Sequence, residues 1–401
     1  MVTDQLQEMR SCALILGGYV NGLAIINELH ACGVRDIVLF DSKKSIAYRS
    51  RKVKQSILVP RNPSSLLNAI QALMDTYDRV ILFPTDDLYL EHLNSIHSQL
   101  DLRCILPFNP DNLMTSLNKS EQYAACQRVG TPFPKSWEVC TREDLAHLET
   151  LTFPLLIKPN KRDDINSSVF RSLQLPDARS LDQHLDILAR HLDQGIQFLA
   201  SEIIPGDGSN IFAYACYRTP DGRILNEWTG KKLSQFPNDF GVFATASNQA
   251  PDIISTQGRQ LVEAMDLHGF LEPEFKFDAR DGSYKLMEIN LRSMMWNRIG
   301  HLSGVNLHYT QYLHALAQDV PRYQQDKTSD IRLTYFKHEL INLLTRRGYA
   351  QTFFRNLVHR NIHFSVFDLT DPLPFITDLI STTQEFARSC QKALKIRFAS
   401  S

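Results

Sequence analysis

Between Cys12 and Leu16 the chain is apolar without a break, stops at Gly17-Gly18, and resumes with Leu23, Ile26 and Leu29 on one helical face. A second apolar run spans Asp36 to Asp41, so the opening predicts strand, glycine turn, helix and strand. Arg79 to Phe83 and Arg103 to Leu106 predict two more buried strands, separated by a helix over Tyr89 to Gln99. The first ~110 residues therefore predict a small open parallel sheet.

A helical pattern follows from Leu117 to Val129 and is stopped by Gly130-Thr-Pro-Phe-Pro134. Beyond it the pattern changes to strands: Phe153 to Lys158, Phe198 to Ile204, Ile211 to Tyr217, Ile224 to Trp228, Glu274 to Asp278 and Tyr284 to Ile289. Thr219-Pro-Asp-Gly222 and Ala279-Arg-Asp-Gly282 predict hairpin turns. Closely spaced strands joined by turns make an antiparallel sheet, so the fold class is α/β first and α+β afterwards. Helical patterns over Lys337 to Arg346 and Tyr349 to His359 precede an apolar stretch that ends in Asp371-Pro-Leu-Pro-Phe375. No internal repeat or low-complexity tract interrupts this order.

A chain of 401 residues is too long for one small core and predicts two or three packed units. Apolar residues at 43% and charged residues at 22% suffice for a sizeable core and argue against disorder. A net charge of −1 removes the simplest electrostatic case for nucleic acid or an anionic membrane as partner. Seven cysteines without a C-x-x-C pair indicate neither a disulfide framework nor a zinc cluster, which suits reduced thiols in cytosol. The polar start and the shortness of the first apolar run predict neither export nor a membrane span, and hence a cytoplasmic protein.

Gly17-Gly-Tyr-Val-Asn-Gly22 joins strand to helix, but it lacks the Lys-Ser/Thr of a P-loop and the spacing of the dinucleotide fingerprint. A nicotinamide-linked oxidoreductase is thereby disfavoured against a tight turn or a contact to a small substrate. A stronger signal lies in the hairpin from Glu274 to Arg292. Side chains two apart on a strand share a face, so Glu288 and Asn290 point together, and the turn returns Glu274 opposite them. Two carboxylates and an amide suit magnesium, which keeps the rest of its shell for water and phosphates. Arg292, two residues on, could hold a phosphate. Ordinary acidic residues on a solvent-facing hairpin would look the same, so the lysines matter. Lys158 closes an apolar strand and requires an anion or an exit to water. Lys119 stands at a helix start, where positive charge opposes the dipole unless an anion neutralises it. Phe198-Leu-Ala-Ser-Glu-Ile-Ile-Pro-Gly-Asp207 completes an ordered series.

From about Ala13 to about Leu307 that series resembles the ATP-grasp superfamily in order and spacing. The resemblance implies a Rossmann-like domain over 1–115, a small α+β subdomain over 116–196, a large one with the magnesium site over 197–325, and a C-terminal extension over 326–401. It also implies ATP between the two subdomains. Lys119 and Lys158 match the phosphate-binding lysines. Glu202, with the backbone of Ser201, Ile203 and Ile204, matches the adenine hinge, and Asp207 lies near the ribose position. Glu274, Glu288 and Asn290 match the ligands of magnesium, or of manganese in its place, and Arg292 the phosphate-binding arginine.

Leu14-Ile-Leu-Gly-Gly18, Phe83-Pro-Thr-Asp-Asp87, Gly230-Lys-Lys-Leu-Ser-Gln-Phe-Pro237, Phe240-Gly241, Trp296, Ser303-Gly-Val-Asn-Leu307 and Asp371-Pro-Leu-Pro-Phe375 are similar to carboxylate–amine ligases of the D-aspartate ligase and mycosporine-glycine synthase kind. The implied reaction phosphorylates a carboxylate with ATP and joins it to an amine, an amino acid among the substrates, in a protein for which a homodimer is the default expectation. Lys231, Lys232 and Arg298 are candidates to stabilise the oxyanion and departing phosphate, although surface cations are the equal alternative. One departure is the segment 160–169, which has no glycine where many members close a glycine-rich loop. Lys161, Ser167, Ser168 or Arg171 could assist there. An ATP-binding regulatory protein without turnover is the competing expectation.

Overall fold

The computed structural model describes residues 9–160, 164–165, 168–238 and 240–384. Strands β1 (Ser11–Leu16), β2 (Ile37–Asp41), β3 (Gln55–Leu58), β4 (Arg79–Pro84) and β5 (Cys104–Ile105) form a parallel sheet in the order β3-β2-β1-β4-β5. Helices α1 (Val20–Ala31), α2 (Pro63–Leu73) and α3 (Asp87–Ile96) carry the crossovers. The order reverses between β1 and β4, so the crevice beyond their carboxyl ends is the topological switch point. Two glycines shape its floor. Gly17 adopts φ +98°, and a Cβ on Gly22 would lie 2.0 Å from the Gly17 carbonyl oxygen. The glycine motif is thus a close approach of backbone to backbone.

After α4 (Leu113–Ser116) and α5 (Lys119–Val129), a second sheet forms from β6 (Ser136–Val139), β7 (Leu155–Pro159), β8 (Leu173–Leu175) and β9 (Phe198–Glu202) in the antiparallel order β6-β9-β7-β8. It encloses its own core with α6 (Ala178–Asp193), in which Ile157, Leu181, Leu188, Phe198 and Ala200 are buried.

The largest sheet has seven strands: β10 (Ile211–Arg218), β11 (Ile224–Phe236), β12 (Val242–Ser247), β13 (Gly269–Asp278), β14 (Ser283–Asn290), β15 (Arg332–Thr334) and β16 (Ile362–Phe364), in the order β14-β13-β10-β11-β12-β15-β16. Alternate residues of β10 serve its two faces. Phe212, Tyr214 and Cys216 pack with α7 (Asp252–Ala264), while Ala213, Ala215 and Tyr217 join the core of α8 (Arg298–Leu302) and α9 (Leu307–Ala315). Both cores continue into the first sheet, one through Leu14 and Leu16, the other through Ala13 and Ile15. Both predicted hairpin turns close on left-handed glycines, Gly222 and Gly282.

The segment read as a C-terminal extension contributes α10 (Phe336–Thr345) and α11 (Ala350–Leu357), as its periodicity predicts. It also supplies β15 and β16, three residues each and too short to show alternation. Its end ties back to the first domain: Asp371 accepts from the Ser50 hydroxyl and the Arg51 amide, and Lys52 pairs with Asp368 at 2.6 Å. Among the described residues no helix is long and apolar enough to cross a membrane.

Candidate active site at the edge of the large sheet

The β13–β14 hairpin places Glu274 directly across from Glu288, and Glu272 across from Asn290. Glu274 also faces Ala213 on β10, whose small side chain leaves room above the sheet. A register shift after Glu274 bends the hairpin there. Asn290 is buried, and its Nδ2 has no hydrogen-bond partner. Among the described residues no group of three or more His, Cys, Asp and Glu could hold a metal; the set here is two carboxylates and an amide.

Four cations surround Glu288. Lys119, the first residue of α5, brings its Nζ to 3.8 Å from Glu288 Oε2. Burial disfavours the Glu288 carboxylate, yet Lys119, Lys158, Lys232 and Arg292 together hold it below the ordinary glutamate range. Against the pull of burial, Tyr123, Glu288 and Glu274 hold Lys119 above the usual lysine value. Lys158 is pushed down to about 8 by burial and by the like charge of Lys119, with Glu288 opposing the shift and Arg171 adding to it. The sequence expected Lys158 to require an anion or an exit to water; it lies next to the last residue of β7, with Lys119 and Arg171 as like charges and Glu288 as the opposing one.

Lys232 pairs with Glu274, both side chains nearly sealed from solvent, and its ammonium lies 5.8 Å from the centre of the Trp296 ring. Lys231 projects from the opposite face of β11, over the Phe212 ring at 5.3 Å, so the two adjacent lysines serve different sides of the sheet. Arg298 donates to the backbone oxygens of Phe364 at 3.0 Å and Ser365 at 3.3 Å, and burial lowers its pKa. It therefore braces the C-terminal segment. Arg292 grips Asp87 through Nε at 2.6 Å and also contacts the Met294 sulfur.

Ser201 and Glu202 end β9, and Ile203 donates its amide to the Pro154 carbonyl. Glu202 accepts from the Thr152 amide at 2.9 Å, while its own amide bonds the Lys135 carbonyl. Lys276 holds the carbonyls of Ile204 and Gly206, both at 2.7 Å. Asp207 caps the next turn through the Ser209 amide and hydroxyl. A cleft of about 580 Å³ opens beside Glu202, lined by Phe133, Lys135 and Lys285 among others, and none of the residues around Glu288 lines it. Of the residues expected near the phosphates, Lys161 and Ser167 lie outside the described residues.

Two acidic residues at the site were not singled out by sequence reasoning. Asp87 lay within a segment quoted only for its resemblance. Glu272 is wholly buried, accepts from Trp296 Nε1 at 3.1 Å and from Asn297, and is raised to about 8 by burial and the neighbouring Glu274 charge. Its position two residues before Glu274 on the same face was the available signal.

No family model matches the chain. The D-aspartate ligase of Enterococcus faecium (strain Aus0004) is 27% identical over 245 residues, which are 58% of this chain and 58% of that protein, so the chain matches about three fifths of the curated relative's length. Among solved structures, an N5-carboxyaminoimidazole ribonucleotide synthetase in complex with ADP superposes with a TM-score of 0.61 at 14% identity, covering 84% of each chain. A Campylobacter jejuni biotin carboxylase in a β-γ-ATP complex gives 0.60 at 12% identity over 78% of this chain and 73% of that one. The L-amino acid ligase of Bacillus licheniformis gives 0.53 at 16% identity over 80% and 76%. With a parallel first sheet, a small four-stranded sheet and a large sheet whose edge hairpin carries the acidic pair, the chain has the ATP-grasp fold.

Proposed function

We propose that this protein is an ATP- and magnesium-dependent ligase that activates a carboxylate as an acyl phosphate and joins it to an amine, releasing ADP and phosphate. The observation that carries the reading is the meeting of Glu274 and Glu288 in one register pair beneath the ammonium groups of Lys119, Lys158 and Lys232. Glu274, Glu288 and Asn290 fit a magnesium ion by the chemistry of their donors, two carboxylates and an amide oxygen, all hard oxygens gathered on neighbouring strands. When bound, magnesium supplies charge that draws the terminal phosphates toward electrophilic reactivity.

The chain's own residues do the rest. A carboxylate carbon is shielded by two electron-rich oxygens, and transfer of the γ-phosphoryl group to one of them creates a leaving group. Lys119 and Lys158 neutralise the phosphates, and Arg292 offers a planar fork to the group in transfer. Lys232 pairs with Glu274 and holds its carboxyl group in place. Attack by the amine forms a tetrahedral oxyanion that the cations on the face of the acidic pair stabilise, a group to which neither Lys231, on the opposite face of β11, nor Arg298, engaged with the C-terminal segment, belongs. Ser201, Glu202, Ile203, Ile204 and Asp207 form the nucleotide's adenosine side. An amino acid is the proposed amine or acid, since the curated relative is named for D-aspartate.

The test is ADP release with MgATP and a panel of acids and amines that begins with D-aspartate, product masses being read in parallel. Amine-dependent ADP formation is expected, and Glu288→Ala should reduce it more than 100-fold while leaving the fold intact. Tight ATP binding without ADP under any pairing would instead favour a regulatory ATP-binding protein.

A further inference from the structure

Five buried polar side chains form an unbroken hydrogen-bonded chain beneath the proposed active site. Glu28 on α1 accepts from the backbone amides of His308 and Tyr309, at 2.7 and 3.0 Å, at the start of α9. Its other oxygen accepts from His308 Nδ1 at 2.6 Å. His308 Nε2 lies 3.0 Å from Ser293 Oγ, which is 3.2 Å from Asn297 Oδ1. Asn297 Nδ2 donates in turn to Glu272. None of the five is more than 3% exposed. The Phe270 ring stacks on the His308 imidazole at 4.8 Å, and Asn21 ties the Ser293 carbonyl to that of Thr85.

The course of this chain is what gives it meaning. It starts in the first domain, passes through the residue directly after Arg292, and ends on the strand that carries Glu274, two residues away. Apolar packing could stabilise the same contact, but a fully partnered polar network selects one arrangement, because every displaced member leaves a buried group unpaired. We propose that Glu28, His308, Ser293, Asn297 and Glu272 are positioning residues that set the Arg292 guanidinium against the acidic pair, so that it meets the terminal phosphate of ATP. The inference rests on the proposed function, in which Arg292 binds phosphate.

The test compares MgATP and MgADP affinity by calorimetry in the full-length protein. Arg292→Ala should reduce the preference for MgATP over MgADP. Ser293→Ala, and His308→Asn, whose amide matches Nδ1 and keeps the Glu28 contact, should each reduce the same preference at least fivefold. The Ser293→Ala/Arg292→Ala double variant should lose no more than Arg292→Ala alone, since the relay acts only through the arginine. Ser365→Ala, equally buried but bonded to the Thr334 carbonyl, should leave the preference unchanged. Retention of the wild-type preference by both Ser293→Ala and His308→Asn, or multiplicative losses in the double variant, would overturn the relay while leaving the ligase reading in place. Failure of the wild-type protein to bind MgATP would remove the ligase reading and the relay with it.

Discussion

Arg292 and Asp87 stand 205 positions apart, yet the guanidinium and carboxylate meet through two hydrogen bonds of 2.6 and 3.2 Å. Asp87 opens α3 beyond the end of β4, so an arginine of the large sheet is held at the switch point of the first. Burial opposes its charge, but Asp87 and Glu288 keep the guanidinium above its ordinary pKa. A lysine could supply the charge without the fork. Arg292→Lys is therefore expected to lower kcat about 10- to 100-fold, with thermal stability little changed, as steady-state ADP release would reveal.

Lys158 gives the site a pH dependence of definite sign. Its amine loses its proton near pH 8 in the ligand-free protein, and only the ammonium attracts phosphate. ATP affinity should be full below pH 8 and fall as pH rises beyond it, with a midpoint displaced upward by the bound triphosphate. Lys158→Arg should flatten that fall over pH 7 to about 9.5 in titrations of binding, because an arginine keeps its charge. The unfolded chain binds the Lys158 proton more tightly than the folded one, so this group makes ligand-free stability rise with pH between about 8 and 10.5.

Lys232 and Glu274 form an ion pair almost without solvent access. Removing one member strands the other charge, which costs about 3–5 kcal/mol in comparable buried pairs. Lys232→Met should lower the melting temperature clearly, and excess magnesium should recover part of the loss by replacing the missing charge beside Glu274. No recovery in thermal denaturation with and without magnesium would count against the metal assignment.

At Gly22 the predicted effect is on stability alone. A methyl group would strike the Gly17 carbonyl and push α1 away from the first sheet. Gly22→Ala is expected to cost about 1–3 kcal/mol in denaturant unfolding, the range of overpacked cores.

Much of this was readable in the chain because it is written in local periodicity. The apolar runs of β1, β2 and β4, the turns at Gly222 and Gly282, and the shared face of Glu288 and Asn290 are properties of neighbouring residues, and the short turn between β13 and β14 brings Glu274 to them. β3, β8, β15 and β16 were not legible, since strands of three or four residues draw their form from their neighbours in the sheet. The partition of Lys231 and Lys232 follows from strand alternation, but their surroundings do not: Phe212 and Trp296 reach them only through the fold. Asp87 and Glu28 were equally hidden, because their partners Arg292 and His308 lie more than 200 residues away.

The three sheets do not share their interiors equally. The parallel sheet and the seven-stranded sheet are joined by two continuous cores, and residues near Asp371 fasten the end of the described chain to the beginning of that joint body. The four-stranded sheet keeps a core to itself. A nucleotide held as proposed would therefore bridge two separately packed bodies, with Lys158 and Glu202 on one and Lys119, Arg292 and the acidic pair on the other.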